Sequence, residues 1–578
     1  MASSSVSLFL ASSFLLAAPV RAGGVADTVL TGGRIYTLDP ARPWVQAVAI
    51  QGGRFVYVGD DAGAGAWVGP LTKRHALGGK LVLPGLIDGH THPGLVSGSK
   101  EFFLLPETLD HAALVAEVAR QARRHPERSV LVGGYWPIAG FDTNGPRKED
   151  LDRVVSDRPV ILFDDSGHSQ WLNSKALAVL GVDRSTKDPV PGLSCFKRDP
   201  SGEPTGWVKE HALQPFLGKL GLGSVVQKAE LKALLDYLVS KGVTALFDAG
   251  NGAGEEGVYA AVAELEKAGE LPLRYDGSVQ ISLPDQLQGA VARLERLRRK
   301  YAGGRLRLNT VKILFDGVSE IGTSSVLEPF LDDTKNRGNT VISGADLRAL
   351  LLELHRKRID LHLHTVGDAA TRTALDAVEQ VRAAVGGALD SRVTLCHLEV
   401  QNAADIPRFA ALGVVASFTP HWNGGYFEGA DRWLGRERYD RMYSVKPLLR
   451  AGAVVAYSSD ITDHVEWKSD RGDPFFGMQL GHTRREVSEG ATGEPRPPAD
   501  ERLPLEELVR GYTQGAAFQL RLDKDLGSIE VGKSADLVVL NRNLFEVGPQ
   551  EVHSVTPDAV LIDGNAAHGA LPYPITSR

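Results

Sequence analysis

Two histidines one residue apart, His90 and His92, offer the first chemistry in this chain. In extended backbone, residues two apart face the same way, so both imidazoles can reach one ion. Lys312, His364, His397 and Asp460 follow, each on or at the end of a short apolar run. Singly, each has a plain structural role. A His-x-His pair is more often incidental than metal-binding, Lys312 would pair with Asp316, and Asp460 would cap a helix. Cys396 alternates away from His397 and reads as a small buried residue facing helices. Taken together, four imidazoles and a carboxylate are held most economically by a divalent cation. Nitrogen and oxygen ligands without cysteine favour zinc, as one ion or two.

Those residues need elements that bring them together. Eight apolar runs end in polar clusters, at 85–92, 242–250, 273–281, 310–317, 360–368, 392–399, 414–421 and 454–460. Helical patterns lie between most of them, such as Gly344 to His355, with apolar residues three and four apart. Near-continuous apolar strands alternating with helices predict a parallel sheet, and eight such units an α/β (β/α)8 TIM-type barrel. Its active site sits where the strands end. Along the fourth run, Lys312, Leu314 and Asp316 share the inner face. A lysine there must be neutralised, paired or chemically altered, because an isolated buried ammonium is costly.

The stretch from 93 to 240 is too long for a βα loop and carries strands of its own, at 129–136 and 158–164. It reads as a subdomain, at about 95–240, inserted after strand one, with 189–206 as a surface loop inside it. Both chain ends are β-rich with Gly/Asp turns, predicting one small β-sandwich from 23–82 and 521–578, around a barrel over 83–520.

Composition narrows the functional classes. Charged residues are 23% of 578, and 63 Gly with 31 Pro stay below low-complexity levels, which excludes disorder, collagen and coiled coil for the whole chain. A formal charge of −7 leaves no basic field for nucleic acid. Two cysteines cannot build a disulfide framework or a Cys-rich zinc module. Residues 7–20 are apolar or small and uncharged, too short to span a bilayer, with Val20 and Ala22 suited to cleavage. Residues 1–22 therefore read as a secretory signal lacking a basic n-region, which predicts a secreted or periplasmic protein, with a cytoplasmic location as the alternative. No stable membrane insertion is expected, and a homodimer is left open.

The order His-x-His, Lys, His, His, Asp within a sandwich-flanked barrel resembles the amidohydrolase superfamily. The closer likeness is to its third amidohydrolase group, which includes N-substituted formamide deformylase-like enzymes. Matching segments run from Leu83 to His92, Gly167 to Leu177, Val311 to Gly317, His364 to Asp368, Cys396 to Glu399, Ser458 to Asp460 and Leu526 to Leu540. Ala369 stands where the group often has Arg after Gly-Asp, which bears on substrate rather than metal. The resemblance implies that His90, His92 and Asp460 bind the more buried metal and His364 and His397 a second, with carboxylated Lys312 bridging. It further implies hydrolysis of a small-molecule amide, formamide or cyclic amide by metal-activated hydroxide. Asp460 would be proton shuttle, and His397 or His364 would polarise the carbonyl. The same site could act on esters, lactones or phosphotriesters, and a non-catalytic regulatory member is the remaining alternative. His168, His421, Trp422 and Trp136 are the expected substrate contacts, from the insertion and the end of strand seven.

Overall fold

A computed structural model describes residues 24–106, 108–221, 226–331, 334–425 and 429–575. The expected leader, 1–22, lies outside them. All eight expected barrel strands form: β1 (Leu86–Thr91), β2 (Val243–Asp248), β3 (Arg274–Ile281), β4 (Leu306–Leu314), β5 (Asp360–Thr365), β6 (Val393–His397), β7 (Val415–Phe418) and β8 (Val455–Tyr457). They pair in parallel and in sequential order, so the protein is an α/β barrel of the expected type. The two edge strands are drawn together just past β8, where Asp460 N–H donates to the His90 carbonyl at 2.7 Å and His92 N–H to that of Ile461 at 3.1 Å.

Sequence pattern explains the wrapping. The helix Gly344–Lys357 starts where Ser343 accepts the Asp346 N–H and buries Leu347, Leu350, Leu351 and Leu354. On β4, Val311 and Ile313 join the main apolar cluster while Lys312 turns inward, wholly buried.

A second sheet rises over β1. It contains Phe103–Leu104, Leu131–Trp136, Val160–Asp164, Ser169–Leu172, Cys195–Arg198 and Pro204–Lys209. The stretch expected as a surface loop, 189–206, is thus corrected: it carries a β-hairpin closed at Asp199–Glu203, its strands antiparallel. Pro, Gly and Asp there mark the turn, and the flanking strands are too short to show alternation. The helix Lys228–Ser240, within the expected insertion, instead buries Leu231, Leu234, Leu235 and Leu238 in the barrel cluster. The inserted sheet packs through Trp136, Trp171 and Trp207 against Val318 and Ile321 after β4 and Trp422 and Trp433 after β7, forming a roof.

The chain ends build two facing sheets. Thr28–Thr31, Ala47–Gln51, Arg54–Gly59 and Lys73–Ala76 make one. In the other, Leu81–Pro84 pairs antiparallel with Leu537–Leu540, and Pro557–Ile562 follows. Leu537 and Val539 face the sandwich, while Val538 and Leu540 face the barrel cluster, so this strand is apolar on both sides. Among the described residues, no helix is long and apolar enough to cross a membrane.

Candidate metal centre and active site

The six sequence-marked residues converge at the C-terminal ends of the barrel strands. His90 Nε2 lies 3.4 Å and His92 Nε2 3.3 Å from Asp460 Oδ1, and His397 Nδ1 lies 3.5 Å from Oδ2. Lys312 Nζ is 3.3 Å from His90 Nε2. These separations suit a shared ion: around zinc with bonds of about 2.0–2.1 Å, tetrahedral ligand atoms stand roughly 3.3 Å apart. His90, His92 and Asp460 form one tight donor group, and His90, Cys396 and His397 another. His397 Nδ1 is buried without a hydrogen-bond partner, as a nitrogen kept for a metal would be. The residues present therefore fit a divalent cation. His364 stands further out, its ring 4.4 Å from that of His397, and belongs to neither tight group.

Burial, reinforced by neighbouring imidazoles or Lys312, holds His90, His362, His364 and His397 well below the ordinary imidazole range. Neutral imidazole is the form that binds metal. Burial also lowers Lys312, outweighing the opposing pull of Cys396 and Asp460. The Asp316 pairing considered for it does not form, because Asp316 accepts the backbone N–H groups of Ser325, Val366 and Gly367 instead.

Local backbone explains one error of sequence reading. Cys396 faces the barrel interior, its sulfur 3.5 Å from Lys312 Nζ, not the helices. Alternation along β6 puts Leu395 outward and Cys396 inward. His397 should then point outward, but its φ of +74° turns it back into the mouth. Asp460 likewise has φ +48°. Non-glycine residues at positive φ are uncommon and cluster at functional sites. Burial pushes the Cys396 thiol up to about 12.

Two positioning groups escaped sequence reading. Asp88 accepts from Ser459 N (3.0 Å), Ser459 Oγ (2.5 Å) and His90 N (3.2 Å), bracing β1 against the chain that carries Asp460. His362, two residues before His364, meets His90 Nδ1 at 3.0 Å and orients it. The spacing of His362 and His364 signalled this second residue; Asp88 carried no signal beyond its place beside His90.

The expected substrate contacts divide. His168 lines the cavity, as does Trp422, which stacks on His397 with ring centroids 5.2 Å apart. His168 Nδ1 bonds Glu210 Oε2 at 2.6 Å, because Ser169 pairs with Lys209 across an antiparallel ladder and the next residues out face one another. Burial disfavours a charged His168, but Glu210 outweighs it and pushes the group up to about 9. Glu210 is buried and reached only because Gly317 is glycine: a Cβ there would stand 2.3 Å from Glu210 Oε1. Trp136 is corrected: it is wholly buried in the roof, its indole N–H bonded to the Leu162 carbonyl, and is absent from the cavity wall. His421 is also buried, at the start of the turn after β7, and does not line the cavity.

The cavity, about 70 Å³, has an acidic side. Asp165, Glu320 and Glu399 line it with the histidines. Burial, helped by Asp164, raises Asp165 to about 8, and burial raises Glu320 to about 7; burial and Glu320 raise Glu399 well above the usual range.

A parallel barrel with imidazoles and a carboxylate converging at the ends of its strands has the donor set of a metal centre. The chain belongs to the amidohydrolase family, which matches residues 75–568. It is 28% identical over 444 residues to the exoenzymes regulatory protein AepA of Pectobacterium carotovorum subsp. carotovorum, covering 74% of this chain and 93% of that one. It is 26% identical over 558 residues to N-substituted formamide deformylase of Arthrobacter pascens, covering 93% of this chain and 97% of that one. The structure of an uncharacterized metal-dependent hydrolase from Pyrococcus horikoshii shares the fold, with TM-score 0.66 and 22% identity over 90% of this chain and 99% of that one.

Proposed function

We propose that this protein hydrolyses a C–N bond of a small-molecule amide, formamide or cyclic amide. The reading rests on one observation: a single carboxylate, Asp460, faces three imidazoles from two other strands at 3.3–3.5 Å. His90, His92 and Asp460 Oδ1 would hold a divalent ion, zinc by donor type, with Lys312 beside them; carboxylated Lys312, His364 and His397 would serve a second. A neutral buried lysine is the form that CO₂ can carboxylate. When bound, the metal supplies an acidified water and a Lewis acid for the carbonyl.

The chain's own residues do the rest. Asp460 Oδ2, not committed to the His90–His92 side, accepts the proton of the attacking water and returns it to the leaving nitrogen. His168 uses Nδ1 for Glu210, so protonated Nε2 is free to donate to the carbonyl oxygen as its charge grows. Trp422 walls the acyl side, and the roof keeps bulk water out.

Formamide cleavage is the first activity to examine, given the named activity of the Arthrobacter relative. A regulatory role, as the name of AepA suggests, would leave the six ligand residues free to be lost, and all six are present. The test is a panel of formamides, N-acyl amino acids, cyclic imides, esters and lactones with metal-loaded and chelator-stripped protein. Metal-dependent release of an amine supports the proposal; cleavage of lactones alone, or equal turnover after stripping, overturns it. Export after cleavage near Ala22 belongs to the same proposal, and N-terminal sequencing of protein recovered from periplasm or medium checks it.

A further inference from the structure

The acidic side of the cavity has no part in the chemistry above, yet it is built and buried. Glu320 and Glu399 are each only 2% exposed, and each leaves one carboxylate oxygen, Oε1 and Oε2 respectively, without a hydrogen-bond partner. A buried acceptor left unsatisfied is costly, so two of them on one cavity wall call for donors from a ligand. Asp165 lines the same wall and spends Oδ1 on the Ile138 N–H.

Neighbouring positive groups act on these carboxylates through space but bond neither of them. His168 spends Nδ1 on Glu210. The Arg496 guanidinium influences both glutamates but stacks over Tyr439, 4.4 Å from the ring centroid, and its Nε and Nη2 bond neither carboxylate. Among the described residues that line the cavity there is no arginine; Lys312 and His168 stand on the metal side, and carboxyl groups contribute from Asp165, Glu320, Glu399, Asp460 and Glu466.

We propose that Glu320, Glu399 and Asp165 form a subsite for a cationic, multiply N–H-donating group of the substrate, an ammonium or guanidinium close to the scissile amide. The inference rests on the amidohydrolase reading and narrows it: amides bearing a basic group are selected, and carboxylate-bearing amides such as N-acyl amino acids are rejected. The cavity, about 70 Å³, has room for only a few waters, so the cationic group and the amide are separated by a short spacer.

Binding is measured first, because it requires no turnover. Calorimetry on the metal-loaded protein compares n-propylguanidinium, which stays protonated and does not ligate metals, with neutral butyramide and with butyrate. Saturable guanidinium binding at least tenfold tighter than butyramide is expected, weakened at least tenfold in both Glu320→Gln and Glu399→Gln. Guanidinium bound no better than butyramide, or bound equally by wild type and either folded variant, overturns the subsite. Should one variant fail to fold, the other and Asp165→Asn carry the comparison. Kinetics with a formamide carrying a guanidinium, against a carboxylate of equal length, should then show a tenfold or larger kcat/KM ratio that collapses in Glu320→Gln. Guanidinium binding without cleavage of any amide would leave the subsite standing and sink the hydrolase reading; cleavage indifferent to charge would do the reverse.

Discussion

His168 is protonated at neutral pH because the Glu210 carboxylate, 2.6 Å away, outweighs the burial that would discharge it. Its folded value of about 9 lies above the ordinary value near 6.5. Its contribution to stability is therefore complete below about pH 6.5 and fades as pH rises through 9. Turnover should show an alkaline limb in the same region. In Glu210→Gln the remaining burial lowers the imidazole, so that limb should move below pH 7 and kcat at pH 8 should fall; an unmoved limb removes His168 from the reaction. Asp460→Asn keeps an oxygen for the metal but cannot take a proton. Metal content should stay near wild type while kcat falls about 10²–10⁴-fold, and turnover within a few-fold of wild type would end the shuttle assignment. At this scale residue type was legible, and direction only where the strand is regular, as at Lys312. The six candidate ligands stood out by chemistry, but the inward turns of His397 and Asp460 depend on positive φ, which a pattern of side chains does not encode. Glu210 had no signal, since its role depends on an antiparallel register 42 positions away from His168.

Among elements, the barrel strands were readable because burial on both faces makes them apolar throughout and each ends in polar residues. The inserted sheet was only half readable: its short strands, Cys195–Arg198 and Pro204–Lys209, sit among Pro, Gly and Asp that look like loop. How the barrel closes was invisible in sequence, because it rests on backbone bonds past β8 and on one side chain, Asp88. Asp88 satisfies three donors at once, two of them on Ser459, the neighbour of Asp460. Asp88→Ala would orphan those donors in a buried place, at roughly 1–3 kcal/mol each. Denaturant unfolding should show a loss of about 3 kcal/mol or more. Metal affinity should fall with it, because the segment that holds Asp460 loses its brace. A variant with wild-type stability and metal content would show that the backbone bonds between β1 and the Asp460 segment close the barrel unaided.

Across the whole molecule, the two chain ends meet in one sandwich, and that sandwich is not a detachable module. Leu537–Leu540 pairs with Leu81–Pro84, the strand immediately before β1, and fills the sandwich with one face and the barrel cluster with the other. Arg274 at the start of β3 is paired with Asp536 and Asp563 of the C-terminal segment, so an ion-pair network ties the bottom of the barrel to it as well. Removing 521–578 would therefore expose Leu81, Val82 and Leu83, all at most 1% exposed in the intact chain. Each such side chain contributes roughly 1.5–3 kcal/mol on burial, against a net stability of about 5–15 kcal/mol for a typical protein. Truncation would also leave Arg274 half-buried without a carboxylate, which raises the cost further. A chain ending at residue 520 should be insoluble or lack a cooperative thermal transition, and adding back a separately expressed 521–578 segment during refolding should restore solubility and metal binding together. A truncated chain that stays soluble, melts cooperatively and binds metal as the intact protein does would mean that the barrel is autonomous and the sandwich serves some purpose other than holding it closed.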